Sequence, residues 1–205
     1  MILVALSAAY LLGSIPFGLI IVRAFRGEDL RQAGSGNIGA TNAARTAGPA
    51  IGIATLVLDV AKGSAGYLMG ARLAGEIGDS PLFLFVVAAP VIGHMFSPWL
   101  RFRGGKGVAT ALGVLILADP RVLLAGLGTF ALAFVVGRRV SLGSLAAAVG
   151  IGVAAFVLNG WCPLTQGVLL IASLIIVRHH ENIRRLLAGE EPRFGSKDRD
   201  KPPSP

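Results

Sequence analysis

Seven apolar runs separated by short polar segments constrain the fold of this 205-residue chain more than any other feature. An α-helix needs about 20 apolar residues to cross roughly 30 Å of hydrocarbon. The fourth run is short for that purpose unless the bilayer thins or the adjoining loop dips into it. Only 15% of the residues are charged, against about 25% in soluble domains. We therefore predict an all-α polytopic membrane protein with about seven transmembrane helices, one of them short. The runs cover residues 2–22, 49–71, 82–97, 107–118, 121–137, 141–159 and 164–177.

The distribution of Lys and Arg predicts the orientation of these helices. If the first helix runs from outside to inside, the inner segments receive sixteen of the 19 basic residues. This asymmetry follows the positive-inside rule and predicts an outer N-terminus and a cytoplasmic C-terminus. The net charge of +8 therefore reflects topology, and we expect no nucleic acid as a partner. Residues 1–191 form one predicted domain, followed by a polar, disordered cytoplasmic tail over 192–205.

The first inner polar segment is GSGNIGATNAAR, residues 34–45. Its glycines have the G-x-G-x-x-G spacing, but a dinucleotide site needs a preceding β-strand, and an apolar run precedes this segment instead. We interpret it as a polar loop whose side chains suit a polyol and a phosphate. An ordinary solvated loop with helix-capping Ser and Thr explains it equally well. The polar residues are Ser35, Asn37, Thr41, Asn42 and Arg45.

The second inner segment, RFRGGKGVAT at residues 101–110, places Lys106 among three glycines. Glycine lets backbone N–H groups approach an anion closely, and a helix predicted to begin near Val108 would direct its positive end there. The segment predicts a phosphate site formed by Gly104, Gly105, Lys106 and Gly107. An ATP-binding loop is less favoured because Lys106 is followed by glycine instead of Ser or Thr. Basic residues placed only by topology are the alternative.

The third inner segment, RHHENIRRLLAGEE at residues 178–191, has the pattern of a basic amphipathic helix. His179 and Asn182 would share one face of it, although a plain interfacial helix is the simpler interpretation. No Asp follows any histidine in the H-x-x-x-x-D arrangement, so a His–Asp general base is missing, and we interpret His94 as structural. Asp59 and Lys62, three residues apart inside an apolar run, are expected to pair. We see no cluster of metal ligands and expect no metal.

Taken together, the three segments resemble the three motifs of the PlsY family of bacterial membrane acyltransferases. The resemblance extends from the first helix to Glu191. It implies an enzyme of the inner membrane with its active site facing the cytoplasm. The implied reaction moves an acyl group from acyl phosphate to the primary hydroxyl of glycerol 3-phosphate, giving lysophosphatidic acid and phosphate. This would be the first step of bacterial phospholipid synthesis. No cofactor is implied, and functional coupling to the enzyme that forms acyl phosphate is expected.

The resemblance also assigns residues. Its catalytic positions correspond to Ser35, His179 and Asn182, whereas His180 receives no role. Three alternatives for the mechanism stay open. The donor's own phosphate accepts the hydroxyl proton, His179 accepts it, or the reaction passes through an acyl-Ser35 intermediate. A small-anion or phosphate transporter is the alternative from another class, because a short helix facing anions fits a transporter too. The substrate-binding positions are Asn37, Thr41, Asn42, Arg45, Gly104, Gly105, Lys106, Gly107 and Arg178.

Overall fold

A computed structural model describes residues 1–75 and 80–195 of the chain. Within these ranges the chain forms helices joined by turns and contains no strand. All seven predicted apolar runs are helical, which confirms the all-α membrane fold. The helices are α1 (Ile2–Ser14), α2 (Phe17–Arg26), α3 (Ala40–Ala47), α4 (Pro49–Ala74), α5 (Phe83–Met95), α6 (Val108–Ala118), α7 (Pro120–Gly137), α8 (Val140–Asn159), α9 (Pro163–Arg178) and α10 (His180–Leu187).

The first apolar run is divided at Pro16 into α1 and α2, which together form a candidate span of 25 residues. The break leaves carbonyl groups without helical partners. The Ser97 hydroxyl donates to the Ser14 carbonyl at 2.7 Å, and Lys62 Nζ donates to the Ile15 carbonyl at 2.6 Å. These bonds satisfy the freed carbonyls, as the interior of a membrane protein requires.

Within the part of the chain that the structure describes, five candidate spans are long and apolar enough to cross a membrane, and α6 and α9 are shorter apolar helices. Side-chain contacts show which helix ends lie together. At one end of the bundle Arg121 donates to Asn159 at 2.9 Å. At the other end Lys106 donates to Asn182, and Arg139 donates to the Glu191 carbonyl. From α6 to α9, successive apolar helices therefore alternate in direction.

Glycines allow α4 and α6 to pack with their backbones in contact. A Cβ on Gly63 would lie 2.2 Å from the Thr110 carbonyl oxygen, and one on Gly113 would lie 2.0 Å from that of Val60. The Ser64 hydroxyl also donates to the Gly113 carbonyl at 2.8 Å. Small residues bring membrane helices together in this way. The contact determines where the short α6, and the loop before it, can sit.

The first polar segment contains a helix that the sequence interpretation missed, because residues 40–47 were expected to be loop. Gly39 precedes α3 and Gly48, at a φ of 100°, ends it. Two of the four alanines of α3 are buried, because Ala43 and Ala47 pack in a small cluster with Val22 and Leu100. Alanine has a high helix propensity, and the burial of alanines against other segments stabilises this helix. The polar residues between the alanines prevent an apolar run, so the sequence pattern did not predict the helix.

The described part of the tail contacts the bundle. Phe194 donates its N–H to the Arg138 carbonyl at 2.6 Å, and its ring meets Phe134 edge-on at 5.6 Å between centroids. The ordered contacts therefore continue beyond the expected boundary at residue 191. Residues 196–205, for which disorder was also predicted, lie outside the described residues, as do residues 76–79.

Candidate active site

The glycine loop between α5 and α6 packs against the last turn of α5. Gly104 and Gly105 donate their N–H groups to the carbonyls of Met95 and His94, at 3.0 and 3.2 Å. A Cβ on Gly104 would lie 2.0 Å from the His94 carbonyl oxygen, and one on Gly105 would lie 2.2 Å from His94 Nε2. The expectation that these two N–H groups face an anion therefore differs from the structure. Here the absent side chains make room for α5.

Arg178, at the end of α9, holds the other side of the same loop. Its Nη2 donates to the Gly104 carbonyl at 2.6 Å and its Nε donates to the Gly105 carbonyl at 3.2 Å. The guanidinium also lies 5.7 Å from the centroid of the Phe96 ring, a cation–π distance. At least two of the five donors of Arg178 thus position the loop.

The groups that remain available to bind an anion are the Lys106 side chain and the backbone N–H groups in the first turn of α6. Gly107 precedes α6 with a φ of 79°, a conformation in which glycine is favoured. The first N–H groups of any α-helix have no partner within the helix, and they form its positive end. We therefore expect the phosphate at the N-terminus of α6 instead of along the whole glycine loop.

Lys106 is held at this position by a chain of polar side chains. Its Nζ donates to Asn182 Oδ1, and Asn182 Nδ2 donates to Glu191 Oε1 at 2.6 Å. Arg185 Nε donates to the second oxygen of Glu191 at 2.7 Å. Burial lowers the pKa of Lys106 to about 8, so the ammonium stays mostly charged at neutral pH.

Glu191 is the residue of this network that sequence reasoning did not assign. Besides holding Asn182 and Arg185, it accepts a bond from Arg139 Nε on its backbone carbonyl at 2.9 Å. It thereby connects the loop between α7 and α8 with α10. The only signal in the sequence is an acid close to two arginines of a basic helix, which does not identify its partners.

His179 caps the junction of α9 and α10 and exposes 2% of its surface. Its Nδ1 lies 2.8 Å from the Ile175 carbonyl oxygen. Because a carbonyl only accepts, this contact assigns the proton to Nδ1 and leaves a lone pair on Nε2 of the neutral ring. Burial lowers the pKa of His179 to about 4. The neighbouring His180 is exposed.

In the first segment, Asn42 organises the loop through all of its side-chain groups. Its Oδ1 accepts from the Ser35 N–H at 2.9 Å, and its Nδ2 donates to the carbonyls of Leu30, Ala33 and Asn37. With 2% exposure, its geometry favours positioning Ser35 over contacting a substrate.

The other polar side chains of the first segment differ in exposure and engagement. Asn37 Oδ1 accepts from the Gly39 N–H at 2.9 Å, which forms a local turn. Ser35, Thr41 and Arg45 are exposed. The latter three are therefore the side chains of this segment that are accessible to a polar ligand.

Leu100 places the first segment beside the second, because it is packed among buried residues that include Leu30, Ile38 and Ala43. No hydrogen bond within the described residues joins Ser35, Thr41 or Arg45 to Lys106, His179 or Asn182. The structure thus assembles the second and third segments directly and holds the first at the same end of the bundle.

Behind the glycine loop, Asp59 and Lys62 form the predicted ion pair, at 2.7 Å and almost fully buried. The ring of His94 is also buried, with Nδ1 3.8 Å from Asp59 Oδ1. Because Lys62 also donates to the Ile15 carbonyl, this cluster connects the break of the first helix with α4. A structural role for His94 agrees with its packing against Gly105.

Comparison with known proteins identifies the family of this arrangement. The family model described as "Glycerol-3-phosphate acyltransferase" matches residues 3–189. The glycerol-3-phosphate acyltransferase of Anaeromyxobacter sp. (strain Fw109-5) is 47% identical over 194 residues, covering 94% of this chain and 96% of that protein. The protein of the same description from Syntrophotalea carbinolica is 43% identical over 191 residues, covering 93% and 96%.

Two crystal structures of PlsY (YgiH), an integral membrane glycerol 3-phosphate acyltransferase, share the fold. The glycerol 3-phosphate form has a TM-score of 0.87 and 42% identity, covering 95% of this chain and 96% of that chain. The lysophosphatidic acid form has a TM-score of 0.85 and 39% identity, covering 97% of each. These similarities favour an enzyme over an anion transporter. With the three segments found at one end of an all-helical membrane bundle, the chain belongs to the glycerol-3-phosphate acyltransferase family of integral membrane enzymes.

Proposed function

We propose that this enzyme transfers an acyl group from acyl phosphate to the primary hydroxyl of glycerol 3-phosphate, releasing inorganic phosphate and lysophosphatidic acid. The observation that carries the proposal is the state of His179. Its ring hydrogen-bonds a helix carbonyl through Nδ1, and burial lowers its pKa to about 4. A general base works best with a pKa near the operating pH, so this histidine is a weak proton acceptor. An activated donor that supplies its own base suits such a site.

In the proposed reaction the glycerol 3-phosphate hydroxyl attacks the acyl carbonyl carbon, and the bond from that carbon to the phosphate oxygen breaks. The leaving phosphate accepts the hydroxyl proton, because phosphate monoanions and dianions interconvert near pH 6. Before the attack, His179 Nε2 accepts a hydrogen bond from the hydroxyl and orients it, and this hydrogen bond is exchanged for one to the leaving phosphate as the proton is transferred. The enzyme then contributes mainly positioning and electrostatic stabilisation.

The two substrates together bring about four negative charges, and the site offers cations for them. Lys106 and the first turn of α6 bind one phosphate, with Asn182 holding Lys106 in place. The exposed side chains of Ser35, Thr41 and Arg45 bind polar groups of the other substrate. Each hydrogen bond to an ionised group contributes roughly 1.5–3 kcal/mol. In this proposal Asn42, Arg178, Gly104 and Gly105 support the site through the loops they hold.

The biological setting follows from the same proposal. The active site faces the cytoplasm of the bacterial inner membrane, where the positive-inside rule places all three segments. The reaction is the first acylation of phospholipid synthesis, and it depends on an enzyme that forms acyl phosphate.

The test is phosphate release by the purified full-length protein given acyl phosphate, with and without glycerol 3-phosphate, alongside acyl-CoA as donor. Release that requires glycerol 3-phosphate and yields lysophosphatidic acid is expected. His179→Ala should lower kcat, whereas the exposed neighbour His180→Ala is the matched control and should retain activity. Because His179 only orients the hydroxyl, the loss should stay below the roughly 100-fold that marks a general base.

Three outcomes would contradict the proposal. Turnover with acyl-CoA but not with acyl phosphate would show that acyl phosphate is not the acyl donor. A loss of kcat well above 100-fold in His179→Ala would identify that histidine as the general base. An acyl-Ser35 adduct trapped with donor alone would show that the reaction proceeds through a covalent intermediate instead of direct transfer.

A further inference from the structure

The segment Trp99–Arg103, which precedes the glycine loop, is fixed at both of its ends. On one side Leu100 is buried, and Trp99 Nε1 donates to the Ser14 hydroxyl at 2.9 Å. On the other side the Gly104 N–H is bound to the Met95 carbonyl at 3.0 Å. The chain between these two anchors must turn sharply outward.

The turn places two ordinary residues in the left-handed region. Arg101 has a φ of 51° and Phe102 a φ of 62°, a conformation uncommon outside glycine and an outlier for a bulky side chain. The Phe102 N–H donates to the Ser97 carbonyl at 2.9 Å, which stabilises it. Such strain persists where the surrounding structure imposes it, and it often marks a functional segment. With this left-handed backbone, Phe102 is 62% exposed, and Trp99 beside it is 64% exposed.

Two exposed cations, Arg101 and Arg103, flank Phe102. Among the residues that the structure describes, neither the Arg101 nor the Arg103 guanidinium forms an ion pair or a hydrogen bond. By contrast, Arg121 at the other end of the bundle is held by Asp119 at 3.0 Å. Unpartnered guanidinium groups beside exposed rings indicate an external anionic ligand.

The position of the segment indicates which anion. It lies between the C-terminus of α5 and the N-terminus of α6, two apolar helices, and so at the level of lipid headgroups. Aromatic rings concentrate at that level, and guanidinium binds phosphate through paired donors. Free phosphate compounds would engage the arginines but would not use the two exposed rings.

We propose that Trp99, Arg101, Phe102 and Arg103 form a binding site for the headgroup of an anionic phospholipid. The rings of Trp99 and Phe102 enter the headgroup region of the bilayer, while the guanidinium groups of Arg101 and Arg103 bind the lipid phosphate. The bound lipid holds the start of the glycine loop at the membrane surface, one residue before Gly104. This site is separate from Lys106 and does not depend on the identity of the acyl donor.

The chain provides its own reporter for a test, because its two tryptophans lie at opposite ends of the bundle. In Trp161→Phe, Trp99 is the single tryptophan, and its fluorescence is excited selectively over that of the two tyrosines. The full-length protein is reconstituted into vesicles containing equal fractions of either phosphatidylglycerol or phosphatidylcholine, brominated near the headgroup. We expect brominated phosphatidylglycerol to quench Trp99 with an apparent association constant on the order of fivefold higher for each arginine engaged. Saturating glycerol 3-phosphate should leave this preference unchanged.

Variants make the test specific. Arg101→Asn/Arg103→Gln should abolish the preference, and the asparagine tolerates the left-handed backbone. Phe102→Asn should weaken quenching by both lipids without lowering the unfolding temperature. Arg72→Gln, an exposed arginine at the other end of the bundle, should keep the preference. In Trp99→Phe, the remaining Trp161 should show none.

Equal quenching of Trp99 by both lipids would overturn the proposal, as would a preference that survives in the double arginine variant. A preference that glycerol 3-phosphate abolishes would also overturn it, because the arginines would then bind substrate. Helical circular dichroism of each variant confirms that the comparison is made between folded proteins.

Discussion

At the scale of single residues, Lys106 combines charge with burial more closely than any other side chain of the proposed phosphate site. Asn182 and Glu191 hold its ammonium, while burial brings its pKa down to about 8. Lysine is charged below its pKa. The positive charge of Lys106, which is proposed to bind phosphate, is therefore present at neutral pH and is lost as the pH rises through about 8.

We therefore expect kcat/KM for glycerol 3-phosphate to be level near neutral pH and to fall above about pH 8. In Lys106→Arg the guanidinium stays charged throughout this range, so the alkaline decline should disappear even if the plateau is lower. The measurement is a pH profile of kcat/KM for both proteins. An alkaline decline of the same position in Lys106→Arg would assign it to another group.

At the scale of helices, the position of α6 is set by two glycine contacts with α4. Because α6 follows Lys106 directly, a shift of this helix would also move the proposed phosphate site. The sequence predicts that residues 107–118 are apolar and short, but it does not indicate which helix they touch. The contact of Gly113 with the Val60 carbonyl is decided by the packing of residues far apart in the chain.

Gly113→Ala tests this contact. The new Cβ would meet the Val60 carbonyl at 2.0 Å, so α6 must move away from α4, and we expect a loss of about 1–3 kcal/mol in the free energy of unfolding. Gly128→Ala in α7 is the matched control, because a Cβ there meets nothing within 4 Å. Its expected effect is neutral or slightly stabilising, since alanine is the better helix former.

Chemical unfolding in detergent, followed by circular dichroism, measures both glycine variants. Equal stability of the two variants would mean that the close approach of α4 and α6 is not required. A loss of activity in Gly113→Ala at temperatures where the protein stays folded would connect the helix position to the site.

At the scale of the whole molecule, the bundle has two chemically different ends. The three polar segments and most basic residues lie at one end, and Asp119, Arg121 and Asn159 form a compact hydrogen-bonded cluster at the other. The positive-inside rule predicts that the basic end faces the cytoplasm.

Cysteine labelling tests this orientation in intact cells. In a Cys162→Ser background, Trp161→Cys should react with a membrane-impermeant maleimide added outside, because Trp161 is exposed at the end opposite the site. Arg103→Cys should react only after the membrane is permeabilised. The reverse pattern would invert the topology and place the proposed site outside the cell.

Several parts of this protein were predictable from residues alone for a common physical reason. Apolar runs and basic segments report directly on the cost of placing charge in lipid, so the seven helices and their alternation follow from composition along the chain. Lys106 was singled out because a lysine among glycines before a helix suits an anion, whereas His179 and Asn182 were assigned only through the resemblance to a known family. The pairing of Asp59 with Lys62 followed from their three-residue separation on a helix.

What the sequence by itself determined is thus the membrane class and the apolar helices, and, with the family resemblance, the candidate site residues. Only the tertiary structure decided how those residues are used. It directed the N–H groups of Gly104 and Gly105 to α5, engaged Asn42 with its own loop, and brought Glu191 to Asn182 and Arg185. The reason is that hydrogen-bond partners and burial depend on contacts between distant segments, which local patterns of hydropathy and charge do not encode.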